Sequence, residues 1–309
     1  MRGRSQHGVA IITALVVVAA ATVAVSAMMW RESVAVRKAE NQAALGQARW
    51  LARSAIEWAR LVLLQDARTS SVDHLGEIWA IPLAETRVTD DLGAERSAAV
   101  PPGTSATPFA DNDAAWISGR MHDAQAKLNL QGMARGDQLD DERYATLKRL
   151  VETLRLDPDV AKAIARRVAV LPWTSTFDDL ARAMRAEGTI DAATVERLRP
   201  FVVILPAPTP VNLNTAPAEV LAAVFSNLPL DAARSLVRTR DQAWFKQVAD
   251  VEARMPGAGG DATPTHVSIT TSYFELEGRV QVGRAELAVA ALIEREQNGT
   301  TRVRSLTQR

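Results

Sequence analysis

The chain has no cysteine among its 309 residues. Disulfides, thiol nucleophiles and cysteine-ligated zinc are therefore excluded, and the composition suits an oxidising compartment as well as a reducing one. Net charge is absent too. The 36 Lys and Arg balance 36 Asp and Glu, so no global basic field points to nucleic acid. The four histidines, His7, His74, His122 and His266, share no metal-ligand or triad spacing, and solvated or capping roles suit them. No phosphate loop, nucleophile elbow or HExxH pattern occurs. No catalytic residue is nominated, and the chain reads as a non-enzyme.

Proline is missing from the whole stretch before Pro82, and Val9 to Trp30 contains no charge. A run of that length meets the requirement of about 20 apolar residues for a membrane-crossing helix. Arg2 and Arg4 precede it, which places the N-terminus on the cytoplasmic side, and Trp30 falls at the far interface. The pattern continues beyond the membrane. Ala44, Ala48, Leu51, Ala52, Ala55, Trp58, Ala59 and Val62 fall at helical spacing and predict one buried stripe, with Arg49, Arg53, Glu57 and Arg60 opposite. A single helix over Ile11–Asp66 would measure roughly 80 Å at about 1.5 Å per residue.

Farther along, Leu75 to Leu83 reads as a loop and residues 98–113 as an irregular connection. Ala115–Met121 reads as a strand, followed by a turn over Asp123–Ala126. Phe274–Val282 and Ala285–Ile293 alternate on either side of Gly283 and predict a β-hairpin. The segment after Glu296 is polar and reads as a flexible tail. Between the β segments lies a helical block with an internal repeat. One copy starts at Leu128-Asn129-Leu130 and ends near Phe177–Met184; the other starts at Val211-Asn212-Leu213-Asn214-Thr215 and ends near Phe245–Met255. The linker Leu205–Pro210 separates them. Thr215 or Asn214 is expected to cap the helix that Pro217 and Glu219 begin.

The head Met1–Gly8 is short, basic and ends in glycine, and an apolar helix that turns amphipathic follows at once. This resembles prepilins and the pseudopilins of type II secretion. The resemblance implies cleavage between Gly8 and Val9 by a prepilin peptidase, N-methylation of Val9, and a hydrophobic segment that stays on the protein. Pilins usually carry glutamate as the fifth mature residue; here that residue is Thr13. A carboxylate in hydrocarbon costs about 2.5–3.5 kcal/mol unless paired, and the family pairs it with a neighbour's N-terminus. Its absence is a mark of the K subunit at the filament tip. With the Leu75–Leu83 loop, Gly119–Leu130, Val211–Leu221 and the closing β segment, nearly the full chain resembles the K pseudopilin family (general secretion pathway protein K).

That resemblance implies an α+β fold: a pilin-like long N-terminal helix packed on a small antiparallel β-sheet, with a large all-α domain inserted into the sheet domain. The expected organisation is a leader at 1–8, a transmembrane helix at 9–30, pilin-like segments at 31–127 and 257–296, the inserted block at 128–256 and a tail at 297–309. It implies a single-pass inner-membrane protein with its globular part in the periplasm. It also implies a role in capping the pseudopilus tip and promoting its assembly for export of folded proteins. Its partners would be the minor pseudopilins I and J, other pseudopilins and the inner-membrane secretion platform. Calcium binds some family members; Asp111 and Asp113 are the candidate ligands here, without the calcium-loop spacing. Two rivals stand beside this reading. A signal peptide cut after Val25-Ser26-Ala27 would leave a secreted protein starting at Met28. A helix-hairpin-helix DNA-binding protein would need a phosphate-holding hairpin, whereas Ser226–Asp231 contains Pro229 and Asp231 and no glycine.

Overall fold

The computed structural model describes residues 7–88, 114–135, 138–172, 175–255 and 264–309. The described residues open on one unbroken helix, α1 (His7–Thr69). Without proline, every backbone N–H beyond the first turn keeps its partner, and beyond that turn Gly46 alone weakens the run. Then come a 3₁₀ turn at Ile78–Ala80 and strands β1 (Leu83–Val88) and β2 (Ala115–Asp123). After a second 3₁₀ turn at Ala124–Ala126 the chain enters the helical block.

The block holds two copies of one pattern, each opened and closed by a two-residue strand. The first runs from β3 (Leu128–Asn129) through a small hairpin of β4 (Ala134–Arg135) and β5 (Gln138–Leu139). Helices α2 (Asp141–Thr153), α3 (Asp159–Ala169), α4 (Phe177–Ala186) and α5 (Ala192–Leu198) follow, and β6 (Val202–Val203) pairs in parallel with β3. The second runs from β7 (Val211–Asn212) through α6 (Ala218–Val224), α7 (Leu230–Gln242) and α8 (Ala249–Arg254) to β8 (Val267–Ser268), again parallel to its opener. Since β8 closes the second copy, the block reaches past residue 256. The copies share one apolar core that includes Leu130, Leu147, Ile164, Leu180, Leu213, Leu221, Leu236 and Phe245.

Strands β9 (Tyr273–Val282), β10 (Ala285–Arg295) and β11 (Thr301–Gln308) complete a five-stranded sheet of order β1-β2-β9-β10-β11. The hairpin read around Gly283 is present, and Gly283 takes a φ of +55° that favours glycine. The whole helical block therefore leaves and returns between two neighbouring strands, β2 and β9. This is the α+β arrangement with an inserted all-α block.

Two compact units divide the chain. One comprises residues 1–53, 87–117 and 280–287; the other comprises 54–86, 118–279 and 288–309. In the first, Ala48, Ala52, Val282 and Leu287 are buried. In the second, the last turns of α1 pack Ala59 and Leu63 with Trp79, Met121, Phe274 and Ile293. Trp79 meets Phe274 edge-on at 5.1 Å. The covered face of α1 is Ala48, Ala52, Ile56, Ala59 and Leu63. It lies one position away from part of the expected stripe: Trp58 is 54% exposed, whereas Ile56 and Leu63 are buried. Steps of four, four, three and four residues keep this face in phase with the 3.6-residue turn.

The expected flexible tail is a strand. β11 pairs antiparallel with β10 from Arg295↔Thr301 to Val289↔Gln308, with an irregularity between Leu292 and Ile293. Arg60 donates to Thr301 Oγ1 at 3.0 Å and to its carbonyl at 2.8 Å. The strand eluded pattern reading because it is an edge strand exposed along most of its length, so no apolar alternation marks it.

Gly119 on β2 meets β9 closely. A Cβ there would lie 2.9 Å from the Glu277 carbonyl oxygen. Gly46 on α1 has open space around it. Gly119→Ala is therefore expected to cost about 1–3 kcal/mol through overpacking, and Gly46→Ala to gain about 0.5–1 kcal/mol by restricting the unfolded chain. Urea unfolding of the two variants checks this contrast.

Candidate functional site

Gly8 and Val9 lie in the first turn of α1, and Thr13 lies on its exposed surface in the apolar stretch. That stretch is long and apolar enough to cross a membrane, and none of its most apolar window is covered by the rest of the chain. The helix passes through Val25-Ser26-Ala27 without interruption. Asp111 and Asp113 fall outside the described residues.

The second unit contains a buried polar hub that pattern reading did not assemble. Its centre is Asp123, the last residue of β2. Asp123 Oδ1 accepts from the Gln125 N–H at 2.7 Å, and Oδ2 accepts from Asn212 Nδ2 at 2.8 Å and Thr215 Oγ1 at 2.6 Å. Burial pushes the Asp123 carboxyl up to about 6, although these hydrogen bonds oppose the shift. Asn212 Nδ2 also donates to the Asp73 carbonyl at 3.1 Å. Asn214 clasps Phe245 from both sides: Nδ2 donates to its carbonyl at 3.0 Å, and Oδ1 accepts its N–H at 2.8 Å. Gln125 donates to the Pro210 carbonyl and accepts from the Ser272 N–H.

The expected capping role for Thr215 and Asn214 is therefore corrected. The residue before α6 is Pro217, with no side-chain cap. Both polar side chains are spent on the hub and on Phe245 instead. Comparing the repeats explains the Asn-rich starts. Asn129 and Asn212 each end an opening strand and accept from the N–H two residues on, at 3.0 Å in both copies. Their amide nitrogens part ways: Asn129 donates to Ala207 and Thr209 in the linker, Asn212 to the hub.

Beside the hub, Arg295 from β10 donates to Asp66 Oδ2 at 2.7 Å, to Asp73 Oδ1 at 2.5 Å and to the Thr271 carbonyl at 3.0 Å. Its guanidinium lies 4.9 Å from the Phe274 ring centre. Asp73 Oδ2 accepts the Thr271 N–H at 2.7 Å. Burial raises the Asp73 carboxyl above its ordinary range despite Arg295. Asp66, Asp73 and Glu77 together form a candidate cation cluster. Calcium takes about 6–8 oxygens, yet Asp66 and Asp73 are engaged by Arg295 and Glu77 Oε2 accepts from Trp79 Nε1 and the His74 N–H. The resident guanidinium makes this donor set unsuited to calcium.

One constellation imitates a catalytic triad. His266 Nε2 lies 3.1 Å from Thr146 Oγ1, and Nδ1 lies 3.0 Å from Glu142 Oε1. Thr146 is fully buried and also takes a hydrogen bond from Arg149. A substrate carbonyl has no route to that hydroxyl, so the trio fastens the strand β8 to α2. Burial lowers the His266 imidazole below its ordinary range, against the pull of Glu142. His74 stacks on Trp244 at 3.8 Å, and His122 is exposed. His266 and His74 are thus packed groups rather than solvated or capping ones.

Among similar proteins, a family model described as type II secretion system (T2SS), protein K matches residues 211–270. Those residues span the second repeat from β7 to β8, with Asn212, Asn214, Thr215 and His266. The type II secretion system protein K of Pseudomonas aeruginosa is 26% identical over 97% of this chain and 92% of its own length. The protein of that description from Aeromonas hydrophila is 24% identical over 91% of this chain and 90% of its own. Among solved structures, the crystal structure of the GspK–GspI–GspJ complex from the enterotoxigenic Escherichia coli type 2 secretion system contains a similar chain. The TM-score is 0.68 and the identity 19%, covering 88% of this chain and 99% of that one.

Removing the Asn212 amide leaves Asp73 and Asp123 short of one donor in a buried setting. Asn212→Ala is expected to destabilise the chain by about 2–3 kcal/mol. A urea midpoint equal to that of the wild type would show that the hub carries no weight.

Proposed function

We propose that this chain is a minor pseudopilin of the protein K kind in a type II secretion system, and that it caps the pseudopilus tip and promotes assembly beneath it. The observation that carries the reading is α1, whose uncovered apolar half continues without a break into a half that packs on the sheet. A segment meant to be discarded has no need of that continuity. The similarity to protein K over nearly the whole chain supports the same reading.

Thr13 sets the tip position, because a hydroxyl cannot pair with the N-terminal amine of a subunit above as a carboxylate can. Cleavage falls between Gly8 and Val9, and Val9 becomes the methylated N-terminus. The N-terminus starts on the cytoplasmic side of the inner membrane, and the globular part faces the periplasm. The minor pseudopilins I and J are its partners at the tip, by analogy with the solved complex. The protein is not an enzyme; the buried Thr146–His266–Glu142 trio offers no accessible nucleophile. Work on the filament comes from outside this chain, since it carries no nucleotide-binding motif.

Deleting the chain is expected to reduce the number of pseudopili and the export of folded proteins. Restoring it as Thr13→Glu is expected to recover export incompletely, with subunits misplaced along the filament. Normal pseudopilus number and length in the deletion strain would refute the tip role. Mass spectrometry tests the leader independently. The mature chain is expected to start at methylated Val9, and Gly8→Leu to remain at full length; a start at Met28 would mean a conventional signal peptide.

A further inference from the structure

Three carboxylates converge beyond the end of α1. Asp66, Asp73 and Glu77 each offer an oxygen, all within 4.8 Å of one another. Their side chains are only 10%, 3% and 8% exposed. Among the described residues one fixed cation faces them, Arg295, held by Asp66 and Asp73. His74 Nδ1 accepts the Gly76 N–H, which puts the proton of a neutral ring on Nε2, 3.9 Å from Glu77 Oε1. The formal count is three negative charges against one positive in a setting that water barely reaches. One atom marks what is missing. Glu77 Oε1 is buried and has no hydrogen-bond donor among the described residues, whereas Oε2 takes Trp79 Nε1 at 2.7 Å and the His74 N–H at 3.0 Å.

We propose that this cluster takes up one proton from solvent on folding, carried on Asp66 and donated to Glu77 Oε1, and that the bridge is an acid-tightened latch on the loop carrying Trp79. The proton supplies the donor that Glu77 Oε1 lacks and brings the charge count closer to balance. A metal cation is the poorer solution, because Arg295 already occupies the carboxylates it would need. With the proton present, the end of α1, the Trp79 loop and β10 are tied through one set of bonds. Without it, two uncompensated charges push the loop from its seat.

Among the described residues, the charged and titratable groups facing the cluster are Asp66 from α1, Asp73, His74 and Glu77 from the loop, and Arg295 from β10. Asp123 stands one Asn212 bridge away. Burial, with Glu77 beside it, pushes the Asp66 carboxyl up to about 6 from an ordinary value of 3.8. A folded value raised in this way gives stability that is complete below 3.8 and is lost as pH rises through about 6.

The test is urea unfolding of the full chain in detergent at about pH 8 and about pH 5, followed by circular dichroism. One proton makes the unfolding equilibrium constant rise by up to about tenfold per pH unit between 3.8 and about 6, and so by about tenfold in all from pH 5 to pH 8; an Asp123→Asn background removes that residue's own contribution. In Glu77→Gln the amide NH₂ does the proton's work. This variant is expected to be more stable than the wild type at pH 8, to match it at pH 5, and to lose the tenfold slope. Asp66→Asn is expected to lose the same slope. A Glu77→Gln chain no more stable than the wild type at pH 8, or keeping its slope, overturns the latch. So does a rise of the wild-type midpoint at pH 8 with millimolar calcium that Glu77→Gln abolishes, since a cation would then fill the place assigned to the proton.

Discussion

The buried guanidinium of Arg295 is the constraint on which the second unit depends. It gathers three parts of the chain that apolar packing alone would leave free to slide: the last turns of α1 through Asp66, the following loop through Asp73, and the approach to β9 through the Thr271 carbonyl. Ion pairs of this kind contribute little net stability, because desolvation offsets attraction. What they supply is a fixed arrangement, since a misplaced partner leaves a bare charge in the interior. From Asp73 the same order passes to the helical block. Asn212 joins the Asp73 carbonyl to Asp123, and Thr215 closes on Asp123 from the same strand–helix junction.

Two repeats of one design serve different ends around that constraint. Each starts with a short strand whose terminal asparagine folds its side chain against the chain ahead. In the first copy the spare amide hydrogens hold the Pro-rich linker; in the second they hold the sheet domain. The family model covers this second copy alone, the one that is wired into the sheet.

Much of this was legible in the residues. The uncharged run, the missing prolines and the hairpin alternation around Gly283 each reflect a local rule, and local rules survive folding. The repeat was visible because Leu128-Asn129 and Val211-Asn212 are chemically alike. The phase of the α1 stripe was only half legible, since Trp58 and Ile56 both satisfy an apolar pattern and only the packing partner distinguishes them. Strand β11 was not legible, because an edge strand takes its order from a neighbour's backbone rather than from its own side chains. The hub was least legible of all. Asp66, Asp73, Asp123, Asn212 and Arg295 are scattered along the chain, and nothing about any one of them reveals that it is buried. The pairing of the fully buried Asn212 with the buried Thr215 and a carboxylate at a strand end is a signal that only three dimensions expose.

Placing the helical block between adjacent strands has a consequence for how quickly the chain can fold. The central pairing of β2 with β9 joins residues about 150 positions apart, from Asp123 to Tyr273. Closing such a span as an open coil is slow, because its entropy is lost before any contact rewards it. Folding the block first shortens the effective loop to the gap between its two ends, which the hub then pins. Topology thereby favours one order of events, in which the helices collapse early and the sheet, together with the grip of Arg295, closes on them afterwards.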